Sequence, residues 1–453
     1  MSSSVVNLVF LSVFLIFYSC NIHRSISSDH DFKIEYLLAG SVTHNSADLI
    51  IKANKRGTIK IKLLESNSGT IVYNTTMTIS DSLDFVLKHS ISNLKSQTLY
   101  TYQVQPATNA SMLGGRFTTF TDKPFSYKIA FGSCLETGSK SDIFLKIKQE
   151  NPLFFMITGD LHYENIDYNC TPRFYKAYKK TFTSPQQAEA YRSTPLVYLW
   201  DDHDFGPNNA DGSNPCLKEA RAAYTSHIPH YPLTFYDETG PISQTFNAGR
   251  VQYVLTDLRS QKVRPVFNDC ERIKPGTNFG SEDHLNWFFS TLLKAKNDGK
   301  VVAWVSSYSY INAPGGVNYI CTESDNWGGY PEERKRIANF IKDNKIPLFI
   351  LSGDAHMVAI DDGRHSDYAT KGGAPIRVFH AGAIDSDGSY KGGPYSEGYS
   401  ITPGQYGVME VTDVGSNQIC FKWYGKNKTG QIVKNGQGKE IGLDFCVALP
   451  VIK

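Results

Sequence analysis

The sequence predicts an α/β core that follows a small all-β domain. Between residues 32 and 121, apolar and polar residues alternate with a period of two, as in residues 99–104, and turns rich in Gly, Asn and Ser separate these runs. That pattern is typical of an immunoglobulin- or fibronectin-like sandwich. Beyond Asp122-Lys123-Pro124, apolar strand-like runs alternate with segments of helical spacing. This alternation indicates a largely buried sheet flanked by helices.

The individual elements follow from the same periodicities. In the N-terminal domain, residues 32–122, we expect strands at 47–52, 58–63, 99–104 and 116–120. In the core, residues 123–453, helices are predicted at 141–150, 171–180, 282–296 and 331–345, and strands at 127–131, 153–157, 196–199, 251–255, 301–305, 348–351, 376–379, 407–411 and 419–424. The N-terminal domain has no cluster of metal-ligand residue types, so we interpret it as a packing or spacer module, with an independent binding role as the alternative.

The bulk composition is that of an ordinary globular protein. The chain has 453 residues, of which 41% are hydrophobic and 20% are charged, and its net charge is +2. This length suits two domains. The low net charge and the lack of a basic run argue against nucleic-acid binding. An anionic substrate would therefore have to be bound by local chemistry.

The first residues predict export. An apolar run at residues 5–18, followed by a polar stretch at 19–31, is too short to span a membrane and favours a cleaved signal peptide at 1–28. Its opening has no Lys or Arg, which leaves an uncleaved anchor or a buried helix as the alternative. We expect a secreted protein without a membrane span after signal cleavage, and a monomer.

The cysteine count agrees with export. Of eight cysteines, Cys20 lies in or beside the signal and Cys134 follows a predicted strand. The other six could form three disulfides in an oxidising compartment. Proximity suggests the pairs Cys170–Cys216, Cys270–Cys321 and Cys420–Cys446. Sequons begin at Asn74, Asn109, Asn169 and Asn427 and suggest a glycoprotein.

Residues suited to metal binding follow four predicted strands. Asp201-Asp202-His203-Asp204 follows one, Gly159-Asp160-Leu161-His162-Tyr163 a second, Gly353-Asp354-Ala355-His356 a third, and Cys134 a fourth. Ligand sites of α/β sheets lie beyond the carboxyl ends of the strands, so these residues predict a metal site. For residues 200–209 taken alone, a solvated acidic turn is the alternative. Cys134 alone could be a buried small apolar residue, and Tyr163 alone a core or rim residue.

The residue types suit hydrolysis of phosphate esters with two metal ions. Asp160 could bridge two cations and Asp202 could bind the second. His203 could contact a phosphate oxygen or protonate the leaving group, and Asp204 could orient His203. Asp354 and His356 would share a face of an extended segment. We expect His162 and His380 to be structural histidines.

Taken together, six motifs resemble the PhoD-like alkaline phosphatase family of the metallophosphoesterases. They are Phe131-Gly132-Ser133-Cys134, Gly159-Asp160-Leu161-His162-Tyr163, Trp200-Asp201-Asp202-His203-Asp204, Leu255-Thr256-Asp257-Leu258-Arg259, Trp327-Gly328-Gly329-Tyr330-Pro331-Glu332-Glu333-Arg334 and Ser352-Gly353-Asp354-Ala355-His356. The resemblance covers the chain from about residue 123 to the end and implies a metallophosphoesterase-like α/β core. The N-terminal sandwich also looks like the family's leading domain.

The resemblance implies a metal cluster of Fe³⁺ with Ca²⁺. Its ligands would be Cys134, Asp160, Tyr163, Asp202, Asp354 and His356. A thiol and a phenol ionise readily only beside a strongly acidic ion such as Fe³⁺, because their free pKa values are about 8.5 and about 10. Carboxylates such as Asp202 and Asp354 suit Ca²⁺.

Two positions depart from the family pattern. Leu161 stands where the family has an Arg that can contact phosphate, and Lys262 stands where a second Arg is often found. Arg259 could clamp a phosphate or form a structural ion pair with Asp257. The ester class is therefore open.

We expect a secreted metal-dependent phosphatase that hydrolyses small phosphomonoesters, with phosphodiesters as a further class, through a metal-bound hydroxide. Its catalytic residues would be His203, Asp204 and Arg259. An extracellular binding or adhesion protein with a structural metal site is the alternative from another class. A purple-acid-type phosphatase is the rival enzyme, although it would have a His-x-His pair where this chain has Asp354-Ala355-His356.

Overall fold

The computed structural model describes residues 32–108, 111–268, 271–311 and 325–450. The predicted signal peptide with Cys20, the sequon at Asn109 and the predicted pair Cys270–Cys321 lie outside these residues.

Seven strands precede residue 120. They are β1 (Ile34–Gly40), β2 (Ala47–Ala53), β3 (Gly57–Glu65), β4 (Thr70–Ile79), β5 (Val86–Ile91), β6 (Leu99–Pro106) and β7 (Leu113–Thr118). The predicted strands at 47–52, 58–63, 99–104 and 116–120 correspond to β2, β3, β6 and β7. The sequence reasoning missed β1, β4 and β5.

The remaining strands are β8 (Tyr127–Gly132), β9 (Phe155–Thr158), β10 (Leu196–Leu199), β11 (Gln244–Ala248), β12 (Val251–Thr256), β13 (Val266–Asn268), β14 (Glu271–Lys274), β15 (Val301–Ser306), β16 (Leu348–Ser352), β17 (Val358–Asp361), β18 (Arg377–His380), β19 (Tyr399–Ser400), β20 (Gln405–Thr412), β21 (Gln418–Asn427) and β22 (Gly442–Ala448). The helices are α1 (Ile143–Gln149), α2 (Cys170–Thr183), α3 (Pro185–Ser193), α4 (Asp202–Phe205), α5 (Leu217–His227), α6 (Glu282–Asn297) and α7 (Pro331–Asn344). All nine strands and four helices predicted for the core are present.

Mixed sheets flanked by helices form the architecture. A nine-stranded sheet has the order β22-β21-β20-β8-β9-β10-β1-β2-β5, and a seven-stranded sheet has the order β11-β12-β15-β16-β18-β17-β19. Strands β8, β9 and β10 are parallel to one another, as are β12, β15, β16 and β18. A four-stranded sheet, β4-β3-β6-β7, and a β13-β14 pair complete the set.

The N-terminal strands are not a separate sheet system. Strands β1, β2 and β5 belong to the nine-stranded sheet, while β3, β4, β6 and β7 form the four-stranded sheet. The join is a parallel bridge between Gly40 of β1 and Leu196 of β10. A Cβ at position 40 would lie 2.5 Å from the carbonyl oxygen of Leu196, so this close approach requires glycine.

Helix α6 shows how the sequence defines a helix of the core. Ser281 precedes it and accepts a hydrogen bond from the His284 amide, and Glu282 and Asp283 occupy its first turn. Lys294 and Lys296 lie in the last turn, where positive charge is favourable. The apolar face, which includes Phe288, is buried.

The two large sheets pack face to face, and their contact aligns the strand ends. Phe131 and Phe379, one from each sheet, both pack against Trp423, with ring centroids 6.0 and 5.4 Å away. At the carboxyl edge, the Ser133 hydroxyl donates to the Ala381 carbonyl at 3.2 Å, and the Ile384 amide donates to the Ser133 carbonyl at 3.0 Å. The polar strand ends of both sheets therefore meet.

Two of the three predicted disulfides are confirmed. Cys170 pairs with Cys216, which ties the start of α2 to the residue before α5, and Cys420 pairs with Cys446 across β21 and β22. Within the described residues, no helix is long and apolar enough to cross a membrane.

Candidate metal centre

The same turn follows three strands. Cys134, Asp160 and Asp354 each lie two residues beyond the end of β8, β9 and β16. Each has a left-handed backbone, with φ of 63°, 54° and 56°. This conformation costs a non-glycine residue about 1–2 kcal/mol, and such strain is concentrated at functional sites. The recurrence at three neighbouring strand ends points to a common role.

Glycines allow these strand ends to pack closely. A Cβ at Gly159 would lie 2.4 Å from the Cβ of Asp201, and one at Gly353 would lie 2.2 Å from the carbonyl oxygen of Thr158. Gly159 also has a φ of +111°. No side chain fits at either position, which explains why glycine precedes both Asp160 and Asp354.

Three overlapping groups of possible ligands form one continuous cluster. In each group the ligand atoms lie within 4.8 Å of one another; the groups are Cys134, Asp160 and His356, then Asp160, Asp202 and His203, and then Asp201, Asp202 and Asp354. Asp160 belongs to the first two groups and Asp202 to the last two. Adjacent cations could therefore share a carboxylate.

Tyr163 completes the first group. Its hydroxyl donates to Asp160 Oδ2 at 3.0 Å and lies 3.0 Å from His356 Nε2. The other ring nitrogen of His356 lies 2.5 Å from the carbonyl oxygen of Asp387. The structure thus brings together all six residues predicted as ligands.

Three buried carboxylate oxygens of the cluster lack a hydrogen bond within the described part of the chain. They are Asp160 Oδ1, Asp202 Oδ1 and Asp354 Oδ2. Leaving a buried acceptor without a partner costs about 1–3 kcal/mol, and more if it is charged. Each of the three central carboxylates therefore has one oxygen that a bound cation could use. The donor set fits metal ions that take oxygen ligands.

Burial controls the protonation of the cluster. Burial, and then the charges of Asp202 and neighbouring carboxylates, raise the pKa of Asp160 well above its usual range. Burial raises the pKa of Asp354 to about 8, although Lys391 opposes this. Burial and the charge of Asp160 raise the pKa of Cys134 and that of Tyr163. Cations binding here would therefore displace protons.

Asp202 behaves differently because it lies beside Arg259. Burial is the largest influence and opposes ionisation, but the positive charges of Arg259, His203 and Lys391 lower the pKa of Asp202 below its ordinary value. Asp202 Oδ2 also accepts the Asn209 amide at 2.5 Å. Asp202 is thus the carboxylate of the cluster that ionises most readily.

His203 lies at the rim of the cluster. Its Nδ1 is 2.7 Å from Asn165 Oδ1, its ring packs 4.2 Å from that of Tyr163, and its Nε2 is 3.9 Å from Asp202 Oδ2. The side chain is partly exposed. Asn165, which the sequence reasoning did not consider, fixes the orientation of the ring.

Asp204 does not have the role that the sequence suggested. Its carboxylate accepts hydrogen bonds from the amides of Leu161 and Asp201 and from the Tyr198 hydroxyl. In the described contacts no hydrogen bond joins Asp204 to His203. Asp204 instead forms a capping box with Asp201 at the start of α4. The orientation of its neighbour His203 is fixed by Asn165.

Arg259 is fully buried and pairs with partners other than Asp257. It makes a bidentate ion pair with Asp201, through Nε at 2.5 Å and Nη2 at 2.9 Å, and its Nη1 donates to Asp325 at 2.6 Å. The Asp257 carboxylate accepts from Trp200 Nε1 and from the Ile242 amide. The ion pair with Asp257, one of the two alternatives for Arg259, is therefore not formed among the described residues.

Comparison with known proteins then decides the family. The family model described as PhoD-like phosphatase matches residues 132–421. The chain belongs to the PhoD-like phosphatase family. Alkaline phosphatase D of Bacillus subtilis (strain 168) is 25% identical over 186 residues, which cover 37% of this chain and 32% of that protein, so the match spans about a third of the relative's length. The solved structure of PhoD has a TM-score of 0.69 at 17% identity and shares the fold over 90% of this chain and 93% of its own.

In this member of the PhoD-like phosphatase family, the structure adds residues to the candidate metal centre. Asp201, which stands inside a predicted motif, holds Arg259. Lys391 donates to Asp354 Oδ1 at 2.5 Å, and Asp325 pairs with Arg259. Asp325 and Lys391 come from loops that carry no periodic pattern, so only the tertiary fold reveals them.

His162 and His380 are buried in the core, and so is Leu161, the residue that departs from the PhoD-like pattern. His162 is buried against Tyr178, and burial lowers the pKa of His162 to about 3. His380 lies 3.3 Å from the Tyr395 hydroxyl, and burial lowers the pKa of His380 to about 3 as well. Leu161 is fully buried.

Proposed function

We propose that this PhoD-like phosphatase is a secreted enzyme that hydrolyses small phosphomonoesters, with phosphodiesters as a further class, at the cluster described above. One observation carries the proposal: three groups of ligand atoms overlap through Asp160 and Asp202, and three of their buried carboxylate oxygens lack a hydrogen bond in the described chain. A lone acidic turn would place its oxygens in water instead.

The cluster divides by chemistry into two ends. At one end, Cys134, Asp160, Tyr163 and His356 offer sulfur, phenol, imidazole and carboxylate, a set that suits Fe³⁺. At the other end, Asp202 and Asp354 offer only oxygen, which suits Ca²⁺. When bound, such ions polarise a phosphoryl group and supply a nucleophile from water at neutral pH.

His203 is our candidate for proton transfer. Its Nδ1 is held by Asn165, so the ring is fixed while Nε2 points toward the Asp202 side of the cluster. A histidine in this position can donate a proton to a leaving alkoxide and recover it from solvent, because the side chain is partly exposed. Asp204 and Arg259 both contact Asp201, and in the described hydrogen bonds neither contacts His203.

The remaining parts of the proposal concern the rest of the chain. We propose that residues 32–122 form an immunoglobulin- or fibronectin-like sandwich whose β1-β2-β5 layer continues into a metallophosphoesterase-like catalytic region at 123–453, and that the protein is a monomer. Two disulfides support an oxidising compartment and therefore secretion.

The decisive experiment measures metal content and turnover in the same samples. The wild-type protein should retain metal and hydrolyse a chromogenic aryl phosphate, and a parallel assay with the corresponding diester separates the two ester classes. Asp160→Asn should lose metal and turnover together, because it removes the carboxylate shared by two ligand groups.

Asp48→Asn is the matched control. Asp48 pairs with Lys88 and Ser90 in the N-terminal strands, so its variant loses one carboxylate without touching the cluster. Full turnover and unchanged metal in Asp160→Asn would refute the centre. A wild-type protein that holds metal but hydrolyses neither ester would favour the binding or adhesion alternative.

A further inference from the structure

Three cationic side chains converge on one carboxylate beside the metal cluster. Asp325 Oδ1 accepts from Arg259 Nη1 at 2.6 Å and from Lys262 Nζ at 3.4 Å. Lys391 Nζ lies 4.0 Å from Asp325 Oδ2. Arg259 also pairs with Asp201, and Lys391 with Asp354, so Asp325 is the carboxylate that links the three cations.

The burial of these side chains shows that Asp325 covers the two inner cations. The side chains of Arg259 and Lys262 are 0% exposed, whereas that of Asp325 is 16% exposed and that of Lys391 is 33% exposed. Asp325 thus lies between the buried cations and solvent. An external anion could reach Arg259 and Lys262 only if the Asp325 carboxylate moved away.

Two of the three cations border the proposed metal cluster directly. Arg259 Nη2 lies 3.6 Å from Asp202 Oδ1, and Lys391 Nζ lies 2.5 Å from Asp354 Oδ1. An anion that replaced the Asp325 carboxylate would therefore be next to the two carboxylates assigned to the oxygen-rich end. On the proposed function, the phosphoryl group of a substrate would bind beside these carboxylates.

Arg259 and Lys262 share the Asp325 carboxylate. Asp201 already takes two of the guanidinium nitrogens of Arg259, whereas the ion pair of Lys262 within the described residues is the one with Asp325. Burial, and then the charge of Arg259, lower the pKa of Lys262 to about 8 even though Asp325 opposes this. A phosphate monoester carries about −1.5 to −2 charge and three acceptor oxygens, so it matches three donors better than a carboxylate does.

We propose that Arg259, Lys262 and Lys391 form the phosphoryl-binding cradle of this enzyme, and that the Asp325 carboxylate occupies it in the free protein as an internal substitute which substrate must displace. This inference rests on the proposed phosphatase function. It assigns Lys262 and Lys391 as substrate-binding residues and Asp325 as a residue that sets substrate affinity. Displacement lowers the apparent affinity for phosphate, because only the fraction of molecules with a vacated cradle can bind it.

The test measures binding of inorganic phosphate to the metal-loaded protein by calorimetry. Asp325→Asn removes the competing charge but keeps the side-chain shape, so it should bind phosphate about tenfold more tightly than wild type or better. Lys391→Met should bind phosphate about tenfold more weakly, because one charge-assisted contact is lost. Lys391 is partly exposed, so this variant keeps the inference testable even if Asp325→Asn fails to fold.

Asp413→Asn is the matched control, because Asp413 is also a buried aspartate paired with an arginine, Arg250, away from the cluster. Its phosphate affinity should equal that of wild type. Metal content is measured in every variant.

Two results would overturn the cradle. One is phosphate binding by Asp325→Asn that is no tighter than wild type, and the other is loss of metal from that variant, which would make Asp325 a ligand. Both results can be distinguished from failure of the proposed function. If the wild-type protein hydrolyses phosphate esters but Asp325→Asn gains no affinity for phosphate, the inference alone is refuted. A wild-type protein without turnover refutes the function, and the calorimetry still decides the cradle.

Discussion

Gly159→Ala tests whether close packing of strand ends holds the metal cluster together. The added Cβ would lie 2.4 Å from the Cβ of Asp201 and 3.3 Å from its amide nitrogen. Carbon atoms in contact are normally about 3.5–4.0 Å apart, so the two segments must separate by about 1 Å. Asp160 follows Gly159 and Asp202 follows Asp201, so the same displacement pulls apart two carboxylates of one ligand group.

The structure gives a magnitude for the loss of stability and for the loss of metal binding. A φ of +111° costs a non-glycine residue about 1–3 kcal/mol, and overpacking costs about 1–3 kcal/mol, so the free energy of unfolding should fall by about 2–6 kcal/mol. Metal–ligand distances tolerate changes of only about 0.2 Å, so a displacement of about 1 Å should abolish binding of the shared ion.

Gly363→Ala is the control for backbone strain. Gly363 has the same φ of +111°, but the nearest atom to its added Cβ is the Pro375 Cβ at 3.1 Å. Urea unfolding of the metal-free proteins and plasma mass spectrometry of the loaded ones are the assays. The reasoning fails if Gly159→Ala matches Gly363→Ala in both stability and metal content.

Three further predictions concern single side chains. His203→Ala should slow turnover by about 10²–10⁴-fold with metal retained, and a loss of metal would instead make His203 a ligand. Holoprotein containing Fe³⁺ should be coloured, and Cys134→Ser should shift its visible band, because an alcohol is a poorer anion than a thiol; a colourless, active, iron-free enzyme would contradict this. Asp413→Asn should cost about 1.5–3 kcal/mol at neutral pH by breaking the Arg250 pair. Burial opposes ionisation of Asp413, but Arg250 and backbone hydrogen bonds together lower its pKa, so the difference between variant and wild type should shrink below about pH 3.9 and vanish once acid protonates the folded-state carboxylate.

Periodicity was sufficient for the core elements but not for the shortest or most polar ones. Helix α6 and the buried strand β15 have long, regular patterns and were predicted within one residue. Helix α3 begins at Pro185 and buries Gln187 among alanines, so its apolar face is too weak to identify. Strand β4 is an edge strand with Ile71 and Val72 exposed, so it lacks the alternation expected of a half-buried strand.

The ligand residues were predictable because they stand immediately after apolar strands, where position along the chain almost determines position in space. The groups that tune the cluster were not. Asn165, Asp325 and Lys391 reach it from irregular loops, and their contacts depend on side-chain geometry that no spacing encodes. Conversely, Asp204 is adjacent to His203 in sequence, but the helical turn of α4 places its side chain where it caps the backbone.

The bridge between Gly40 and Leu196 gives the N-terminal strands a structural role beside the candidate site, because it pairs β1 with β10. Strand β10 ends at Leu199, one residue before the motif that supplies Asp201 and Asp202, and β1 is its neighbour on one side. A fragment that began at residue 123 would expose that side of β10 as an open edge, free to recruit a strand from another molecule. The N-terminal strands therefore cover a strand edge, next to the residues of the candidate site, at which the catalytic region could otherwise self-associate.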